Sequence, residues 1–126
     1  MLFRSRPDAL AINLRRVWEL KGLPLLVTEN GIATADDTQR IRYTEEALQG
    51  LLGTIADGID VRGYLHWSLL DNFEWGHWEP TFGLIAINRD TFERTPKPSL
   101  AWPWSRAFGL GEIGRASCRE RVLFAV

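Results

Sequence analysis

Cysteine is almost absent from this chain. The only one is Cys118, so no internal disulfide can form, and with just two histidines no Cys/His spacing suggests a metal site. No apolar run approaches the ~18 residues of a membrane span, and the N-terminus lacks the basic and apolar regions of a secretory leader. Neither sign of charge dominates: 15 Lys and Arg face 16 Asp and Glu, with no long block of either. A nucleic-acid or anionic-membrane surface is therefore not indicated. Repeats and low-complexity tracts are missing too. What remains, at 126 residues with 45% hydrophobic and 25% charged side chains, is a globular composition that could fill one ordinary domain.

The chain does have tryptophan, six in all, and their placement is informative. Val61 to Leu70 is largely apolar and rich in β-formers, as expected of a parallel strand covered on both faces. Its end releases Asp71, Asn72, Glu74 and Trp75, groups that a core would not choose. Sugars need both kinds of partner. A carboxylate accepts two hydroxyl hydrogen bonds at once, and an indole covers the C–H face of a pyranose while its N–H donates.

Upstream, Pro7 and Asp8 start a helix in which Leu10, Leu14, Val17 and Trp18 recur at i, i+4, i+7 and i+8 before Gly22 ends it. Pro24 to Thr28 is a short buried strand leading into Glu29-Asn30-Gly31, and a polar loop is expected from Ala33 to about Arg42. Leu48, Leu51, Leu52 and Ile55 give a second helical stripe with Gly58 at its C-cap. The order helix, strand, helix, strand favours a parallel α/β arrangement. Leu84 to Ile87 reads as a short strand or hairpin arm, Thr95 to Ser99 as a rigid connector, and Ser99 as the cap of a last helix.

Both polar clusters then sit at the C-terminal ends of successive parallel strands, the edge where such sheets place active sites. Two or three strands cannot close a sheet covered on both faces. A closed (β/α) barrel commonly needs about 250 residues, so residues 1–111 are expected to be its C-terminal portion, the last two strands and their helices. Residues 112–126 are set apart, because Glu112 to Val122 resembles the translation of a common sequencing adapter and is expected to be a non-native tail. Met1 is likewise not expected to be a native start, so the compartment is left open, a cytoplasmic one being favoured.

Five segments now carry a resemblance: Leu26 to Ile32, Asp57 to Tyr64, His66 to Trp75, Phe82 to Ile85, and Arg94 to Ser99. In this order they resemble glycoside hydrolase family 1, the β-glucosidase and β-galactosidase type enzymes on a (β/α) eight-fold barrel. The resemblance implies that Glu29 is the catalytic nucleophile of a retaining mechanism. It also implies that Trp67 is the platform under the sugar, that Glu74 accepts from the O4 and O6 hydroxyls, and that Trp75 donates to O3. Phe82 would line the pocket. The implied partner is a β-glycoside or oligosaccharide, with no cofactor or metal, and Glu74 favours non-phosphorylated sugars because a carboxylate repels a phosphate. The oligomeric state is left open.

Retention needs a second carboxyl group about 5 Å from the nucleophile, which this family carries on an Asn-Glu-Pro motif absent here. Trp78-Glu79-Pro80 lacks the Asn and lies on the loop after the strand, so Glu79 reads as a loop residue. The isolated chain is therefore expected to be inactive. A non-catalytic carbohydrate-binding module using the Trp/Glu cluster is the alternative.

Overall fold

The computed structural model describes residues 5–102 and 123–125. Helix α1 (Asp8–Lys21) begins after Pro7 and carries Asp8 in its first turn, where the helix dipole favours negative charge. It stops at Gly22, whose φ of 60° places it in the left-handed region and lets its N–H close on the Trp18 carbonyl at 2.7 Å. Strand β1 (Leu25–Asn30) follows, then α2 (Asp37–Ala56) and β2 (Val61–His66). The two strands pair in parallel, with Leu25 opposite Val61 and Asn30 opposite His66, so α2 is the crossover helix of a β-α-β unit.

One face of this sheet holds the core. Leu14 from α1, Leu48 and Leu51 from α2, and Val27, Ile59, Val61 and Tyr64 from the strands and their approach pack together, with Leu10, Trp18 and Ile55 at the margin. The helical stripes read from the sequence point here. Elsewhere on the strands Leu26 is 57% and Leu65 36% exposed, so the unit is covered on one side only. The described residues form a partial α/β unit, not a closed barrel.

Four local expectations need correction. The polar loop expected over residues 33–42 is shorter, because Asp36 accepts the Thr38 N–H at 3.0 Å and starts α2 at Asp37. The buried face at this end of α2 is polar, Arg40 and Thr44, so no apolar period marked it. The strand expected to run to Leu70 ends at His66, because β1 runs out at Asn30 and the last link between them is Trp67 N–H to the Asn30 carbonyl, 2.9 Å. The peptide bond between Trp67 and Ser68 is cis, and Leu70 makes only an isolated bridge to Ile85.

The connector expected at residues 95–99 is partly a strand. β3 (Ile85–Ile87) and β4 (Arg94–Pro96) form an antiparallel pair, and α3 (Pro98–Ala101) follows with Lys97 at its N-cap. Ser99 does not cap this helix. It lies within the first turn, and its backbone N–H and hydroxyl both donate to Asp37, at 2.6 and 2.8 Å. Residues 123–125 form β5 (Leu123–Ala125), parallel to β2, whereas the adapter-like residues 112–122 lie outside the described residues.

Candidate active site

A cavity of about 530 Å³ opens at the C-terminal ends of β1 and β2, lined by Glu29, Asn30, Gly31, Trp67, Phe73, Glu74, Trp75 and Phe82. All five site residues expected from the sequence are among them. Glu29 and Asn30 end β1, Gly31 follows it, Trp67 follows β2 directly, and the remaining four lie on the loop between β2 and β3.

Backbone contact between the two strand ends fixes the floor. A Cβ built on Gly31 would stand 1.7 Å from the Trp67 carbonyl oxygen and 2.9 Å from its carbon, so only glycine lets the chain leave β1 against Trp67. The Glu-Asn-Gly tripeptide, which in isolation resembles an ordinary turn, is here a close-approach site. Asn30 is held between two tyrosines: Tyr64 donates to its Oδ1 at 3.0 Å, and its Nδ2 donates to the Tyr43 hydroxyl at 3.3 Å. Burial pushes the Tyr64 phenol up, with Tyr43 adding to the shift, which keeps Tyr64 a donor.

Glu74 is 8% exposed, and a carboxylate taken out of water needs a donor. Trp67 supplies it: its indole N–H donates to Glu74 Oε1 at 2.8 Å. This pairing leaves the faces of the Trp67 ring and the second oxygen of Glu74 for a ligand, a division of labour that the sequence did not reveal. Trp75 sits at the rim, 97% exposed, with a positive φ of 49°. Phe73 meets Trp78 edge to face with ring centroids 5.0 Å apart, and the Arg89 guanidinium lies 4.5 Å over the Trp78 ring. Asn30, Gly31 and Phe73 line the cavity without having been expected as site residues; their signal was adjacency, beside Glu29 and between Asn72 and Glu74.

Other polar residues hold the frame. Asp71 accepts from Gly83 N–H at 2.7 Å and from Lys97 Nζ at 2.8 Å. Arg40, 1% exposed, pairs with Asp37 and donates to the carbonyls of Thr34 and Thr81. Burial pushes the Asp37 carboxyl up, but the hydrogen bonds from Ser99 and then Arg40 more than offset this and hold it below the usual carboxylate range. Burial, aided by the Arg40 charge, lowers His66 to about 4. Glu79 is not in the cavity lining; its side chain is 83% exposed, 3.7 Å from His77 Nδ1. Among the described residues no group of three His, Cys, Asp or Glu side chains could hold a metal ion.

A parallel β-α-β unit with carboxylates and aromatics gathered at its C-terminal strand ends is the arrangement by which (β/α) barrels and open α/β sheets build their sites. The chain belongs to glycosyl hydrolase family 1, whose model matches residues 2–107. It is 40% identical over 111 residues to the bifunctional β-D-glucosidase/β-D-fucosidase of Bifidobacterium breve, covering 76% of this chain and 24% of that protein. A β-glycosidase crystal structure matches 90% of this chain and 28% of its own, with 46% identity and a TM-score of 0.79. The family 1 β-glucosidase of Thermotoga maritima, solved in complex with isofagomine lactam, matches 77% of this chain and 24% of its own, with 32% identity and a TM-score of 0.74. The chain thus spans about a quarter of the length of these relatives.

Proposed function

We propose that this chain supplies the C-terminal quarter of a retaining β-glycosidase acting on non-phosphorylated β-D-glycosides, with Glu29 as nucleophile. The observation that carries this reading is that Glu29, Trp67, Glu74, Trp75 and Phe82 line one cavity at the strand ends. In the reaction a Glu29 carboxylate oxygen attacks the anomeric carbon and the bond to the leaving-group oxygen breaks. An acid from elsewhere in the barrel protonates that oxygen, and water then hydrolyses the glycosyl ester with net retention. Glu74, oriented by the Trp67 N–H, accepts hydroxyl hydrogens of the sugar at positions remote from the bond being broken, while the Trp67 ring covers its apolar face.

The second carboxyl group is the missing chemical element, so the 126-residue chain alone does not turn over substrate. Its partly uncovered strands, with Leu26 and Leu65 exposed, favour this reading over a self-sufficient binding module, which would bury both faces of its sheet.

The test uses a complete barrel, restored by joining residues 1–111 to the N-terminal three-quarters of the Thermotoga maritima enzyme. Hydrolysis of an aryl β-glucoside by this barrel should fall by several orders of magnitude in Glu29→Gln. Undiminished hydrolysis would remove Glu29 from the mechanism.

A further inference from the structure

Four of the eight cavity-lining residues, Phe73, Glu74, Trp75 and Phe82, ride on one loop between Asp71 and Gly83. Its tip is pinned by reciprocal hydrogen bonds between Glu74 and His77, N–H to carbonyl at 2.8 and 2.9 Å. Its base is closed differently, by side-chain chemistry. Asp71 Oδ1 accepts the Gly83 N–H at 2.7 Å and Lys97 Nζ at 2.8 Å, while the same Nζ donates to the Gly83 carbonyl at 2.7 Å. One ammonium therefore ties both ends of the loop. The two charged side chains are only 16% and 13% exposed, so water competes little for the contact. Lys97 is itself held, its backbone N–H donating to the Leu84 carbonyl at 2.9 Å. The base is also tight, for a Cβ on Gly83 would lie 2.2 Å from the Asp71 nitrogen.

Lys97 does not line the cavity. We propose that Lys97 is a positioning residue for sugar recognition: by clamping Asp71 to Gly83 it sets where the intervening loop presents its side chains, and it acts on substrate only through them, the buried Glu74 carboxylate foremost. This inference rests on the glycosidase reading above. The nucleophile is outside the clamp, since Glu29 belongs to β1 and its neighbour Asn30 is held by Tyr43 and Tyr64. Loosening the clamp should thus disturb recognition of the hydroxyls that Glu74 meets and leave the nucleophile in place.

The experiment compares Lys97→Met and Asp71→Asn in the restored barrel, the second variant keeping the shape of the pair while removing its charge. With an aryl β-glucoside, kcat/KM should fall roughly tenfold, a size of coupling ordinary for residues in one network. An aryl 4,6-dideoxy-β-glucoside, which offers Glu74 neither of its two hydroxyls, should lose no more than about twofold, and in a Glu74→Gln background the Lys97→Met penalty on the glucoside should shrink to about the same. Lys97→Arg, which keeps a donor of the same charge, should recover most of the loss. Equal penalties on both sugars that persist without the Glu74 carboxylate would make the clamp a stability device only and overturn the proposal. Amide exchange decides the matter independently of turnover. The Glu74 and His77 amides should exchange faster in Lys97→Met while those of β1 and β2 keep their protection; unchanged exchange at the loop would overturn the role of Lys97. An inactive parent barrel would instead count against the glycosidase reading, with the exchange comparison still ruling on the clamp.

Discussion

Substitution of Gly31 by alanine isolates the contact on which the cavity floor is built. The added methyl carbon would begin 1.7 Å from the Trp67 carbonyl oxygen, and contacts below 3.0 Å are essentially never seen for a real Cβ. Both partners are backbone, so no rotamer relieves the clash and the two strand ends must part by more than about 1 Å. The 2.9 Å hydrogen bond from Trp67 N–H to Asn30 then stretches beyond useful length, at a cost of about 0.5–1.5 kcal/mol. Overpacking adds about 1–3 kcal/mol to that. Activity should suffer more than stability, because a displacement of ~1 Å between a nucleophile and its substrate platform is worth on the order of 100-fold in rate. The assay is kcat/KM on an aryl β-glucoside with the restored barrel, alongside thermal unfolding followed by circular dichroism. Gly22→Ala is the control: it also has a positive φ, 60°, but nothing lies within 4 Å of its would-be Cβ, so it should lose about 1 kcal/mol of stability and no activity. If Gly31→Ala kept its activity within about threefold, the close approach of the strand ends would not be what positions Trp67.

Two further outcomes follow from buried charge. Asp37→Ala strands the Arg40 guanidinium, 1% exposed, with only the Thr34 and Thr81 carbonyls, and should cost about 3–5 kcal/mol, read as a lowered thermal midpoint; a midpoint within a degree of the parent would refute the pairing as a structural element. His66, at about 4 in the folded state against 6.5 for the free side chain, stays neutral where the unfolded chain takes up a proton. Its contribution is thus a loss of stability as pH falls from about 6.5 toward 4, reaching roughly 3 kcal/mol, and His66→Gln should flatten that part of the stability profile. An unchanged slope would mean that His66 is not shielded from solvent protons.

The sequence was most legible where one physical signal dominated. Leu10, Leu14 and Trp18 repeat at helical spacing because a single stripe of α1 faces the core, and Gly22 marks its end through backbone conformation. Both signals survive translation into structure without outside help. The start of α2 did not, because its inward face is polar, Arg40 and Thr44, and the partners of Arg40, Asp37 and the carbonyls of residues 34 and 81, are unreadable until the chain is folded. The end of β2 was misjudged for a related reason: Leu69 and Leu70 look like strand, but strand length is set by the partner, and β1 stops at Asn30. At the site, the residue types at strand ends pointed to sugar chemistry, and every expected lining residue meets in one cavity. The contacts that organise them, Trp67 with Glu74 and Lys97 with Asp71, join residues 7 and 26 positions apart and leave no periodicity in the sequence.

The most direct test of the central claim is covalent capture. The restored barrel is treated with a 2-deoxy-2-fluoro-β-glucoside bearing a good leaving group, which lets the glycosyl ester form faster than water removes it, and the labelled peptide is mapped by mass spectrometry. Attachment to Glu29 is the expected result; attachment to a different carboxylate, or turnover with no ester ever accumulating in the Glu29-containing peptide, would contradict it.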